Sequence, residues 1–343
     1  MKSGTLFEHQ IETILFGAIP QMEQEEPPIV ETRSKHVVIL SGPTACGKSA
    51  LALMLAPLIK GEIISADSMQ VYRGMDIGTA KPTLQEMEQV PHHLFNIRDI
   101  AQGFNVVDYY YEAKNACRII HDRGGIPVFV GGSGFYIHSI LYGPPGGPPS
   151  IPELRKSFEE MWDDKGGDFL YHRLEQVDPQ YAATITRNDK HKIVRALEII
   201  TMTGTKVSRN AWKKRKLSSE YIFHCWFLHR PRTTLYHRIE KRCEKMLEDG
   251  LLDEVSRLES EIYKNPSAAQ AIGYRQSLDY LKTSRSKEDY RIFVEEFKKA
   301  SRHYAKRQFT WFRREPIFRW IDLDLHDPET VIDIMSNEIE HSQ

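Results

Sequence analysis

The eight residues Gly42, Pro43, Thr44, Ala45, Cys46, Gly47, Lys48 and Ser49 constrain this chain more than any other stretch. They satisfy G-x-x-x-x-G-K-[ST] in full and directly follow the β-branched run His36 to Ser41. Beyond them, Leu51, Leu55 and Leu58 lay apolar positions along one face of a helix from Ser49 to Ile59. A strand, a glycine-rich turn and a helix in succession begin a β-α unit of the kind that builds parallel sheets. The same alternation recurs downstream: a strand at Glu62 to Ala66, a helix at Val106 to His121, a strand at Pro127 to Val130 and a helix from Ser133 towards Leu141. This predicts an α/β fold, a parallel sheet flanked by helices on both faces.

Gly143 to Pro149 then breaks the pattern, since seven residues of only Gly and Pro cannot propagate a helix or a central strand. The spacing predicts helices over Glu153 to Trp162, Phe169 to Val177 and Asp189 to Thr203, forming a small helical insertion. Strand character returns at Tyr221 to Leu228, helices fill most of Thr233 to Arg313, and a last helix covers Thr330 to Glu340. The expected organisation is a loosely attached extension at 1–35, the first part of the core at 36–146, the insertion at 147–216, core completion with basic helices at 217–325, and a C-terminal helix and tail at 326–343.

With 46 Lys plus Arg against 47 Asp plus Glu, the 343-residue chain is no polycation, so a nucleic-acid partner would need a local basic patch. Cys46, Cys117, Cys225 and Cys243 lack the spacing of a disulfide framework or a zinc site, which suits a reducing cytoplasm. The apolar stretch Ile11 to Ile19 is too short and interrupted to span a membrane, and acidic residues with Pro27 and Pro28 follow it where a signal peptide would have a cleavage site.

The eight-residue loop is built for phosphate. Its glycines let backbone N–H groups curl inward, the helix N-terminus adds partial positive charge, Lys48 reaches the terminal phosphate, and Ser49 can ligate Mg²⁺. Cys46 on this loop is either a bystander or a thiol whose pKa the local field lowers. The third strand ends in Val130, Gly131, Gly132 and Ser133 with no Asp, so the nearest carboxylate is Asp67, at the end of the second strand. Carboxyl ends of parallel strands share an edge, which should bring Asp67, Ser133 and the loop together. There Asp67 can serve as metal ligand or general base, or merely cap the following turn.

Taken together, several motifs resemble the tRNA dimethylallyltransferase family, also called tRNA isopentenyltransferases. They are Gly42 to Ser49, the long run Ser65 to Pro82, Pro91 to His93, Val130 to Ser133, Arg238 to Arg242 with Met246, Ala271 to Tyr274, and Lys306 to Arg313. They occur in the family's order across roughly residues 36–322. The resemblance implies a P-loop kinase-like sheet with a helical insertion domain and a bacterial-type enzyme, since no Cys/His zinc finger is appended. It implies transfer of the five-carbon group of dimethylallyl diphosphate to N6 of the adenosine next to the anticodon, position 37, with release of diphosphate. In that chemistry Asp67 would take the proton of the adenine amino group, and Ser133, where the family more often has Thr, would hydrogen-bond the substrate. Lys48, Arg242 and Ser49 through Mg²⁺ would stabilise the leaving diphosphate, with Gly42 to Ser49 and Arg238 around it. Expected tRNA contacts are Asp67, Ser68, Met69, Gln70, Ser133 and Arg155; His191, Lys192, Ile193, Val194 and Arg195; Ala269, Gln270, Ala271, Ile272, Gly273 and Tyr274; and Lys306, Arg307, Gln308, Phe309, Thr310, Trp311, Phe312 and Arg313. The anticodon stem-loop is the partner, a monomer is expected, and the target base must flip out of its stack.

Charge distribution tests this independently. Residues 187–245 hold 16 Lys or Arg against 5 Asp or Glu, and residues 298–319 hold 8 against 1. Lys213 to Lys216 alone can be a solvated loop, whereas cations interleaved with aromatics at Lys306 to Arg313 suit phosphates and unstacked bases; Trp311 and Phe312 can equally be core residues. The insertion is expected to swing over the stem-loop about the Gly/Pro run. The competing readings are an adenylate isopentenyltransferase acting on free AMP, ADP or ATP, which the basic C-terminal helices disfavour, and a P-loop small-molecule kinase binding ATP.

Overall fold

The computed structural model describes residues 35–210 and 216–342. The expected extension up to residue 34, and Lys213, Lys214 and Arg215 of the basic loop, lie outside the described residues. Six parallel strands form one sheet in the order β3-β2-β4-β1-β5-β6. They are β1 His36–Ser41, β2 Gly61–Ser65, β3 His92–His93, β4 Ile126–Gly131, β5 Ile222–His229 and β6 Arg319–Asp322. The sequence reading found the four inner strands and missed both edges. β3 has two residues and β6 has four, too short for either to carry a periodic signal of its own.

Strand alternation divides the apolar residues between two layers. Val38 and Leu40 of β1, Val128 and Val130 of β4, and Trp226 and Leu228 of β5 face one cluster, while Val37, Ile39, Phe129, Cys225 and Phe227 face the other. Helix α1 (Lys48–Leu58) packs into the first layer through Leu51 and Leu55. After α2 (Leu84–Gln89), α3 (Val106–Asp122) and α4 (Gly134–Tyr142) cover the second layer, with the Tyr109 and Tyr136 rings stacked 3.9 Å apart.

The insertion comprises α5 (Pro152–Lys165), α6 (Gly167–Val177), α7 (Pro179–Ala182), α8 (Lys190–Thr203) and a 3₁₀ turn at Val207–Asn210. It has its own core of Leu170, Tyr171, Leu174, Ala182, Ile193, Val194, Ala196 and Leu197. Its neck closes where the Ser218 N–H donates to the Leu141 carbonyl (2.8 Å). The far end of the Gly/Pro run is fastened: buried Glu198 accepts from the Ser150 hydroxyl (2.6 Å), the Ile151 N–H (2.8 Å) and the Arg195 guanidinium (2.8 Å). Arg195 also donates to the Pro148 carbonyl (2.5 Å), so any hinge is confined to the residues before Pro148.

Beyond β5 the chain builds α9 (Arg232–Glu248), α10 (Leu251–Tyr263), α11 (Pro266–Ala269), α12 (Tyr274–Leu281) and the long α13 (Lys287–Phe312). Strand β6 and α14 (Pro328–His341) complete the fold. Helices α9 and α13 run antiparallel, since Glu240 pairs with Arg302 and Glu244 with Lys298.

Candidate active site at the carboxyl edge of the sheet

Four loops meet where β1, β2, β4 and β5 end. The phosphate loop leaves β1 with Ala45 at φ 64° and Gly47 at φ 116°, two left-handed residues that turn the backbone inward. A side chain at Gly42 would run into the Leu228 carbonyl of β5, so only glycine fits that crossing. Across the edge, the Ser133 N–H donates to the Ala66 carbonyl (3.1 Å), and the Ser68 N–H donates to the Ser133 hydroxyl (3.2 Å). The loop, Asp67 and Ser133 are therefore held at one edge, as the parallel sheet requires.

Three arginines converge on the loop. Arg242 of α9 donates to the Thr44 hydroxyl (3.2 Å), Arg238 one turn earlier to the Ala45 carbonyl (2.9 Å), and Arg230 at the end of β5 to the Cys46 carbonyl (2.9 Å). Arg230 also pairs with Asp324 and was missed in the sequence, where a lone arginine after a strand carries no motif. The Lys48 ammonium folds back onto the Gly42 (2.9 Å) and Pro43 (2.8 Å) carbonyls. Burial, with Arg242 beside it, pulls the Lys48 pKa below its ordinary value against the opposing pull of Cys46 and Asp67. Burial likewise lowers Arg242, with Asp67 pulling it back up. Two cations forced together in a desolvated pocket favour a polyanion between them. Cys46 is fully buried beneath the loop, which fits the bystander role.

A cleft of about 260 Å³ opens from this cationic end. Thr44, Asp67, Arg242, Tyr304 and Arg307 line it near the loop, and Ile239, Met246, Ile272, Tyr274 and Phe297 line the rest. Asp67 holds the Met69 N–H (2.8 Å) and also lines the cleft, so capping the turn does not take it out of the site. Buried Glu254 of α10 fixes the opposite wall by accepting from the N–H groups of Asp76 (3.0 Å), Ile77 (2.8 Å) and Gly78 (3.2 Å) and from the Tyr274 hydroxyl (2.5 Å). Gln70, expected at tRNA, spends its side chain on Ser65 (2.8 Å) and on the Thr79 carbonyl (3.1 Å).

Helical periodicity sorts the expected RNA contacts in α13. Lys306, Arg307, Thr310, Trp311 and Arg313 are exposed, whereas Gln308 and Phe312 turn inward. Phe312 packs under the sheet against Phe227, so its side chain belongs to the core and not to an RNA surface. Gln308, buried, donates to the Gly132 carbonyl (3.1 Å) and accepts from the Thr44 N–H (2.9 Å), so its amide clamps two site loops together. Gly132 and Gly134 are small for the same reason: side chains there would overlap Gln308 and the Trp311 indole. In the insertion, the Ile193 and Val194 side chains belong to its core, while His191 and Lys192 are exposed and Arg155 is half-exposed beside Glu159. Ala271, Gly273 and Tyr274 are buried within the cleft wall, and Gln270 stands exposed at its mouth.

For Mg²⁺ the donor set is sparse. Ser49 is exposed at the start of α1, and among the described residues no three His, Cys, Asp or Glu side chains gather to hold a metal. One hydroxyl fits an ion whose remaining ligands are water and substrate phosphate oxygens.

The family model described as IPP transferase matches residues 70–315. A tRNA dimethylallyltransferase of Protochlamydia amoebophila is 58% identical over 332 residues, covering 96% of either chain. The solved full-length tRNA isopentenylpyrophosphate transferase of Bacillus halodurans is 36% identical, covers 90% of this chain and 99% of its own, and superposes with a TM-score of 0.64. A eukaryotic dimethylallyltransferase solved acting on tRNA is 29% identical, covers 90% of this chain and 80% of its own, and gives a TM-score of 0.75.

Proposed function

The chain belongs to the tRNA dimethylallyltransferase family of IPP transferases, and from that premise we propose how its cleft carries out dimethylallyl transfer to tRNA. The donor is dimethylallyl diphosphate, and the acceptor is N6 of the adenosine beside the anticodon, position 37. The observation that carries this reading is the cleft's polarity: Arg242 and Arg307 line one end with Lys48 close to Arg242, an apolar pocket forms the other, and Asp67 lines the wall near the cationic end. An allylic diphosphate has that same distribution of charge and hydrocarbon.

The flipped adenine presents its amino group to Asp67. As the N6 lone pair forms its bond to C1 of the allyl group, the C1–O bond breaks, its electrons pass to the diphosphate, and Asp67 takes the N6 proton. The loop amides, Lys48, Arg238 and Arg242 meet the growing negative charge of the leaving group, where fixed cations in a dry site stabilise most. Ser133, held by the Ser68 N–H, orients the acceptor nitrogen. Mg²⁺ held by Ser49 would neutralise further diphosphate charge when bound. The exposed cations of α13 would grip the anticodon stem-loop backbone. A kinase acting on ATP would have no use for the apolar end.

The test is to incubate the protein with dimethylallyl diphosphate, Mg²⁺ and either an anticodon stem-loop or free AMP, and to weigh both acceptors. The stem-loop gains one dimethylallyl group and AMP does not. Asp67→Asn lowers kcat by about 10²–10⁴-fold while the stem-loop still binds; undiminished transfer by that variant would remove Asp67 as the base.

A further inference from the structure

We propose that Phe297, backed by Tyr274, sets the length of the hydrocarbon the cleft accepts, stopping it at one isoprene unit. The inference rests on the reading that the cleft holds an allylic diphosphate.

Antiparallel α9 and α13 measure the pocket. Arg242 marks the cationic level, with its guanidinium on Thr44. Next to it, the Cys243 thiol meets the Ser301 hydroxyl at 3.5 Å. Beyond that level the α9 and α13 side chains lining the cleft are Met246, three residues further along α9, and Phe297, four residues back along α13. Three to four residues of helix rise about 4.5–6 Å. A dimethylallyl group extends about 4 Å over the three bonds from its reacting carbon to its methyl ends, and a second, four-bond isoprene unit adds about 5 Å more, at roughly 1.5 Å per C–C bond and allowing for zigzag. One unit fits before the Phe297 ring, and two do not.

This end wall is closely packed. Phe297 and Tyr274 are almost wholly buried. Behind the Phe297 ring lies Gly273, so close that a β-carbon there would sit 3.2 Å from the ring edge. On its other side Phe293 stacks in parallel at 6.4 Å. Tyr274 is pinned by its hydroxyl on Glu254 (2.5 Å), the carboxylate that also holds the backbone of residues 76–78. A well-packed interior transmits such contacts as rigidity rather than slack.

The experiment compares dimethylallyl and geranyl diphosphate as donors to one stem-loop, with the bond changes at N6 and C1 identical for both. Wild-type enzyme transfers dimethylallyl and discriminates against geranyl. In Phe297→Ala the geranyl-to-dimethylallyl ratio of kcat/KM rises at least about tenfold, the size of selectivity a few methylenes carry in an apolar pocket. The milder Phe297→Leu shifts the ratio the same way by less and guards against misfolding of the alanine variant. A folded variant that keeps the wild-type ratio overturns the inference, as does wild-type enzyme using both donors equally. Wild-type enzyme that transfers neither donor instead refutes the donor reading itself, which separates the two failures.

Discussion

Single side chains decide whether the site loops share one geometry, and Gln308 shows it best. Its amide spans from the Thr44 N–H of the phosphate loop to the Gly132 carbonyl after β4, using donor and acceptor at once. Replacing it with Ala leaves the Gly132 carbonyl unpaired in a buried place, at a cost of about 1–3 kcal/mol, and the half-buried Thr44 N–H unpaired at a smaller one. Gln308→Ala should therefore lower Tm and raise KM for dimethylallyl diphosphate, whereas Gln308→Glu, which can still accept from Thr44, should fall between. Thermal melts and steady-state kinetics on the two variants read this out, and a wild-type KM in Gln308→Ala would show that the clamp does not shape the donor site. Nothing in the segment Lys306 to Arg313 separates this glutamine from the cations around it. Its inward direction follows from helix phase, and the phase is fixed only by where α13 meets the sheet.

Elements carry a different vulnerability, at the amino ends of β1 and β5. His36 Nδ1 and His224 Nε2 lie 3.0 Å apart in the buried register between these strands, His224 also faces Glu338 of α14 (3.3 Å) with Arg319 of β6 beside it, and His121 of α3 bonds the His36 carbonyl (2.9 Å). Burial lowers the pKa of all three imidazoles, with neighbouring His224 and His121 adding to the effect at His36 and Arg319 at His224, while Glu338 opposes it. The folded form thus binds fewer protons than the unfolded one. Stability is complete above the unfolded histidine pKa of about 6.5 and declines as pH falls through it, by up to about 1.4 kcal/mol per pH unit for each excess proton. Melting curves from pH 7.5 downward should show Tm falling below about pH 6.5, and His36→Gln should flatten that fall. An identical pH profile in the variant would place the acid sensitivity elsewhere.

At the scale of the whole molecule, the near-zero net charge conceals segregation. Residues 298–319 carry 8 cations against one acid, and Lys306 and Arg307 of α13, with Arg313 at its C-terminal cap, are exposed, Arg307 lining the cleft. Affinity for the stem-loop should fall linearly in log Kd against log salt, and neutralising any of these cations that meets a phosphate should reduce the slope by about 1. Filter binding of Lys306→Ala and Arg313→Ala across a salt series checks this; unchanged slopes in both would move the RNA path off this face. The sequence alone determined the parallel α/β class, the glycine-rich loop after β1, the placing of Asp67 at the same sheet edge and the helical insertion, because each depends on local spacing and on the rule that parallel strands end at one edge. Tertiary structure decided which residue of each motif faces the cleft. Ile193, Val194, Gln308 and Phe312 sit inside motifs that resemble RNA contacts but pack inward, while Arg230, Glu254, Phe297 and Tyr304 gain their places only when segments far apart in the chain are brought together. Spacing fixes what a segment can become, and packing against a distant partner fixes which way it turns.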